Sequence, residues 1–167
     1  MRYSVGDKVV HPQHGPGRIA GIQQTELLDG TKRYYVIEVP GRGLTVHMPV
    51  GKADEIGVRL AMSQARLPWV LSVLRGKPHH LPDDYRERQR QVGDKLKTGS
   101  VIQLARVVRD LTWHREWAHL TKTDSANLRQ GRDMLAAEMA LVSGDAVSDA
   151  GKLIDATVTA AVARQLH

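Results

Sequence analysis

Tyr85, Arg86, Arg88 and Arg90 stand together in "PDDYRERQRQ", residues 82–91. These residue types have a definite chemistry in combination. Cations hold phosphates without reading sequence, while a flat or apolar side chain wedges against an unstacked base step. Helical spacing puts Arg86 and Arg90 on one face, with Arg88 flanking it and Lys95 and Lys97 extending the charge. Arginine near a helix start works against the macrodipole, so helix stability does not account for the cluster. A first-turn side chain at position 85 points back past the helix start. Packing of Tyr85 against Leu81 and the next helix is the other reading of these residues. Aromatics are scarce, with no Phe in the chain.

Other chemistry has weaker signals. "GPGRIAG" has the glycines of a phosphate loop, but such a loop must open a helix, and strand-like residues follow it here. Its glycines read as turn and bulge positions. His11 with His14, the His79-His80 pair, and His114 with His119 are the closest histidine sets. None has the HExxH form or a cysteine partner, and His11 and His14 sit at a strand end, where residues three apart need not converge. There is no Cys and no GxSxG, and the serines read mostly as helix caps. Acid pairs such as Asp54-Glu55 and Asp83-Asp84 lie at turns or helix starts, where the macrodipole explains them. We expect neither enzyme activity, nor a metal site, nor a cofactor.

The chain has 167 residues and a net charge of +6. The charge is uneven: +2 over residues 1–60, +5 over 61–121 and −1 over 122–167. A basic middle fits a polyanionic partner, because Lys and Arg displace counterions from phosphates. It equally fits a solvated surface. No signal peptide or spanning segment is apparent, and cysteine is absent, so the expectation is a cytoplasmic protein without a membrane partner.

The elements that must position these residues change character along the chain. Residues 1–50 read as strands: "DKVVH" ended by Pro12, a bent glycine-rich "HGPGRIAGI", then "RYYVIEV" and "LTVHM". Alternation puts Tyr35, Ile37 and Val39 on one face, and Leu44, Val46 and Met48 inward with Thr45 and His47 outward. Asp29-Gly30 signals a type I′ hairpin. From about residue 61 the period is helical. Ser63 is expected to cap the first helix, ended by Gly76, and Asp83 or Asp84 the second, ended by Gly99. The third carries the stripe Val101, Leu104, Ala105, Val108 and Leu111. The fourth starts at Thr123 or Asp124, with Leu128, Leu135, Met139 and Val142 on one side and Gly144 as its stop. The fifth opens at Asp145 or Ser148, with Ile154, Val158, Ala161 and Val162 inward. Trp69 reads as core or domain-interface packing, and Trp113 and Trp117 as packing against the fourth helix. The fold class is α+β, with a small bent β-sheet or barrel over residues 1–55 and a five-helix domain over 60–167.

In order along both halves, "VGDKVVHPQHGPGRI", "YYVIEVPGRGLTVHMPV", "IGVR", "VLSVLRG", "ARVVRDL" and "LAAEMAL" resemble the CarD/CdnL family of bacterial RNA polymerase-binding transcription regulators. The resemblance implies a Tudor-like β-domain, similar to the polymerase-interacting domain of transcription-repair coupling factor, and a helical DNA-binding domain. The first is expected to grip the RNA polymerase β subunit. The second is expected to touch promoter DNA in the minor groove at the upstream edge of the bubble, stabilising the open complex. Tyr85 matches the position of a wedge tryptophan. The expected DNA-facing set is Tyr85, Arg86, Arg88, Arg90 and Lys122. Two departures stand out there: Tyr replaces Trp at 85, and Glu87 stands where a relative has a basic residue. On the polymerase side, Thr25 and His47 occupy arginine positions of relatives, so Arg33 and Arg42, or Arg18, are expected to carry the charge. A monomer is expected. The alternative is a free-standing, sequence-indifferent architectural DNA-binding protein.

Overall fold

The computed structural model describes residues 2–166. It falls into two compact units, Met1–Met62 and Ser63–His167. In the first, Lys8–His11 (β1), Gly15–Leu27 (β2), Gly30–Val39 (β3), Leu44–Pro49 (β4) and Arg59–Leu60 (β5) form one antiparallel sheet in the order β4-β3-β2-β1-β5. The order is linear, with β4 and β5 as edges. A single helical turn, Ala53–Ile56 (α1), precedes β5. Pairing of β5 with β1 carries the sheet to Leu60.

The period-two pattern explains the core of this unit. Tyr35, Ile37 and Val39 are buried with Val9, Ile19 and Met48. The Tyr35 hydroxyl accepts the N–H groups of Arg2 and Tyr3, both at 3.0 Å, and the Tyr3 hydroxyl donates to the Val58 carbonyl at 2.9 Å. Both phenols are thus buried without an orphaned oxygen. Leu44 departs from the expected inward phase. It opens edge strand β4 directly after Gly43 and is exposed, while Val46 is half-buried. The β2–β3 register shifts between Ile19 and Gly21, an irregularity that leaves Ala20 unmatched and bends the strand there. Gly17 marks a close approach: a Cβ there would lie 2.5 Å from the Glu38 carbonyl oxygen.

The hairpin forms, but not with the expected turn. Leu27 pairs with Gly30, so Leu28 and Asp29 are the central residues. A type I′ turn needs positive φ at both. Among the described residues no residue but glycine has positive φ; Gly30 takes +130° on leaving the turn.

The second unit holds Leu67–Arg75 (α2), Tyr85–Thr98 (α3), Val101–His114 (α4), Lys122–Ser143 (α5) and Val147–Leu166 (α6). With α1, the described residues contain six α-helices. Gly76, Gly99 and Gly144 follow α2, α3 and α5. Two starts differ from expectation. Ser63 opens only a 3₁₀ turn, Gln64–Arg66, with no side-chain cap, and α2 begins at Leu67 with Pro68 in its first turn. Helix α5 begins ahead of Thr123, because Thr121 is its N-cap and Asp124 answers it from the third helical position in a capping box. The stripe Val101, Leu104, Ala105, Val108 and Leu111 is buried throughout, and α4 packs against α2, α3, α5 and α6. Leu135, Met139 and Val142 of α5 and Ile154, Val158, Ala161 and Val162 of α6 complete an aliphatic core; Leu128 is half-buried. No aromatic residue is among the buried hydrophobics of this unit. Among the described residues no helix is long and apolar enough to cross a membrane.

Candidate nucleic-acid interface

The start of α3 is held from inside by Arg88. The side chain is 4% exposed, and its Nε donates to Asp124 Oδ1 at 3.2 Å and to Oδ2 at 3.1 Å. One terminal nitrogen donates to Asp124 Oδ2 at 2.8 Å, the other to the Pro82 carbonyl at 3.1 Å and the Asp83 carbonyl at 3.0 Å. Asp124 also caps its own helix: its Oδ2 accepts the Thr121 N–H at 3.0 Å, and its N–H donates to Thr121 Oγ1 at 3.1 Å. Burial pushes the Asp124 carboxyl up, but hydrogen bonds from Arg88 and Thr121 outweigh it and hold the group below its ordinary value. Arg88 is therefore corrected out of the expected DNA-facing set. It ties the loop before α3 to the first turn of α5.

That clamp fixes where Tyr85 points. Asp84 is the N-cap, its Oδ1 accepting the Arg86 N–H at 2.8 Å, so Tyr85 is the first helical residue. Tyr85 is 48% exposed, which removes the packed reading. Arg86 lies over the ring at 5.5 Å from its centroid, and its Nε donates to the Tyr85 hydroxyl at 3.1 Å. Arg90 is also exposed but engaged: it is paired with Glu87, and a terminal nitrogen lies 3.6 Å from Asp94 Oδ2. The hydrogen bond from Arg90 holds the Glu87 carboxyl below its ordinary value. Lys122 is the first residue of α5, exposed, one residue from the Thr121 cap. Gln89 Nε2 reaches Thr121 Oγ1 at 3.3 Å, so α3 and the α5 start meet directly.

The sequence reading missed Asp110 and misread the tryptophans. Asp110, buried on α4, accepts the His79 N–H at 2.9 Å and pairs with Arg109 at 2.8 Å, fixing the loop between α2 and α3. Trp117 does not pack away as expected. Helix α4 stops at His114, and Trp117 sits in the following turn, 44% exposed, with His80 stacked on it at 5.2 Å and Trp113 edge-on at 4.5 Å. Trp69 is likewise 49% exposed, with Arg66 over its ring, and is corrected out of the core. His114 is buried beside this corner. Burial, then the Arg88 charge, push its imidazole below its ordinary value.

On the β-unit the four expected partner-contacting residues are not gathered in one place. Arg33 lines a cleft of ≈ 650 Å³ with Lys32, Tyr34 and Lys52. His47 lines another of ≈ 530 Å³ with His11, His14 and Pro49. Arg42 reaches the Gln13 carbonyl at 3.2 Å beside that second cleft, and Thr25 pairs with Lys32 on the β2–β3 ribbon. The His11 and His14 rings do converge, at 4.5 Å. His11 Nδ1 accepts the N–H groups of Gln13 at 3.1 Å and His14 at 3.3 Å, which draws the rings together in a turn. Among the described residues no group of three or more His, Cys, Asp or Glu is placed to hold a metal.

Residues 3–60 match the CarD-like/TRCF RID domain, and residues 69–155 match the CarD C-terminal domain. The chain belongs to the CarD family. It is a family of transcription factors, not of enzymes. A putative transcription factor of Bacillus subtilis (strain 168), YdeB, is 27% identical over 142 residues, which is 85% of this chain and 93% of that protein. The solution structure of the 72-residue N-terminal domain of Myxococcus xanthus CarD is 33% identical to this chain, covering 34% of it and 76% of the solved domain, at a TM-score of 0.30. The CarD C-terminal match runs from within α2 into α6 and includes α3 and α5, which build the Tyr85 corner.

Proposed function

We propose that this transcription factor binds the RNA polymerase β subunit through its N-terminal unit and stabilises the open promoter complex with its helical unit. The observation that carries the reading is the exposed Tyr85 at the start of α3, roofed by Arg86 and fixed by the buried Arg88–Asp124 pair. A ring held at a helix tip has little to contact in stacked duplex. It can buttress the minor groove at an opened upstream fork, so its contacts favour the open state. A coupling of about 1–3 kcal/mol shifts that equilibrium roughly 5–150-fold. Tyr85, Arg86, Arg90 and Lys122 form the DNA-facing set; Arg33, Arg42, His47 and Thr25 face polymerase. The likeness of residues 3–60 to the RID domain supports the tether, which supplies effective concentration to a weak DNA contact. Arg90 is engaged with acids and Arg88 is buried, so the cluster is poorer in available charge than its sequence, which disfavours a free-standing architectural protein. The protein acts as a monomer, in the cytoplasm, at the nucleoid with polymerase.

The test is the lifetime of an open complex of cognate RNA polymerase after competitor addition. Wild type lengthens it, and Tyr85→Ala loses most of the gain. No lengthening by wild type on several promoters would sink the reading.

A further inference from the structure

Among the described residues of the helical unit, no Trp or Tyr is among the buried residues, and two of them are joined by one series of contacts. Tyr85 and Trp117 are 48% and 44% exposed. A chain of contacts links them. Arg88 holds the Asp83 carbonyl at 3.0 Å, the His80 ring lies 3.7 Å from the Asp83 carboxylate, and the same ring stacks on Trp117 with planes 18° apart. Trp113 braces Trp117 edge-on, and Asp110 pins the backbone beside His80. Trp117 is therefore a braced ring that still presents surface to solvent. Apolar burial does not account for it.

Charge decides which partner fits. Lys77, Arg115 and Lys122 flank this stack in sequence, three residues before His80, two before Trp117 and one after the Thr121 cap. Each is exposed, and none has an ion pair or side-chain hydrogen bond among the described residues. Unpaired cations in the segments that carry the braced ring suit a polyanion with flat rings of its own: single-stranded nucleic acid, whose bases stack on aromatic platforms while phosphates meet cations.

We propose that Trp117, with His80 stacked on it, is a second aromatic contact for the opened strand, taking an unpaired base while Tyr85 props the duplex edge. This rests on the open-complex reading above. A base stacking on one aromatic platform is worth roughly 1–3 kcal/mol, about 5–150-fold.

The experiment uses full-length protein with cognate RNA polymerase on a promoter, reading open-complex lifetime for wild type, Tyr85→Ala, Trp117→Leu and Trp117→Phe. In parallel, 5-iododeoxyuridine is placed in turn at the unpaired positions next to the upstream fork and photo-crosslinked to the unmutated protein. The expected result is that Trp117→Leu shortens the lifetime gain about 5-fold or more, Trp117→Phe keeps most of it, and crosslinked peptides contain Trp117 or His80. If Tyr85→Ala loses the gain while a folded Trp117→Leu keeps it, the inference is overturned and the open-complex reading survives. If Trp117→Leu fails to fold by circular dichroism, the crosslinks decide: peptides from elsewhere in the chain, with none from Trp117 or His80, overturn it. If wild type gives no gain, both fall together.

Discussion

Removing the Arg88 guanidinium would leave the Asp124 carboxylate ionised with 0% of its side chain exposed. A buried charge stripped of its partner costs about 3–5 kcal/mol. Arg88→Ala is expected to lower unfolding stability by roughly that amount in urea titrations. The pair also sets an acid limit. The folded Asp124 lies below its ordinary value of 3.8, so its contribution is whole above that pH and is lost as pH falls through the folded value. His114 acts in the same direction but earlier. Its folded value is below its ordinary 6.5, so stability begins to decline as pH drops under 6.5, with Arg88, Asp124, His80 and Asp83 as its charged neighbours. Thermal melts between pH 8 and pH 5 should show that first decline in wild type and a flatter profile in His114→Gln. At the surface, Glu87 pairs with Arg90, and under the proposed function that pair competes with phosphate. Glu87→Gln should release Arg90, lengthening open-complex lifetime at low salt and steepening the salt dependence of DNA binding by about one unit of slope.

The β2–β3 ribbon depends on one missing side chain. A Cβ at residue 17 would meet backbone, the Glu38 carbonyl, which cannot swing aside as a side chain can. Gly17→Ala is expected to destabilise the first unit by about 1–3 kcal/mol. Hydrogen exchange should quicken in β2 and β3 and stay unchanged in α4. What was legible in the sequence follows the same division between local and distant causes. The alternation of Tyr35, Ile37 and Val39 and the stripe on α4 are periodic, so the buried faces could be read directly. The start of α5 was written in Thr121-x-x-Asp124, a local signal that the reading passed over, starting the helix at Thr123 or Asp124, one or two residues late. Arg88 was misread. It stands one and two helical turns before the buried Val92 and Leu96, so the period marked its face as inward, but the carboxylate that makes an inward arginine tolerable lies 36 residues away. Trp117 was misread because its packing depended on where α4 stops.

At the scale of the whole molecule, the two units carry separable expectations. Residues 1–62 should retain cognate RNA polymerase in a pull-down when the helices are deleted. Residues 63–167 should lose it and bind duplex DNA only weakly, with affinity falling steeply with salt. Retention by the helical unit alone would reverse the proposed division of labour. The basic middle of the sequence is less basic as a surface than as a composition. Arg88 and Arg109 are buried against Asp124 and Asp110, and Arg90 is paired with Glu87. The net count over residues 61–121 already includes Asp110 and Glu87, so only Arg88, neutralised by Asp124 from outside that stretch, lowers it; the number of cations free to meet phosphate falls further, and tethering matters correspondingly more.

The aliphatic interior of the helical unit has a spectroscopic consequence. All three tryptophans of the chain lie in this unit, and none is among its buried residues. Their emission in the native protein should already resemble that of wet indole. Unfolding followed by fluorescence should then give little spectral shift, while far-ultraviolet circular dichroism reports the full loss of helix. The same property makes the native emission a sensor of whatever covers the surface.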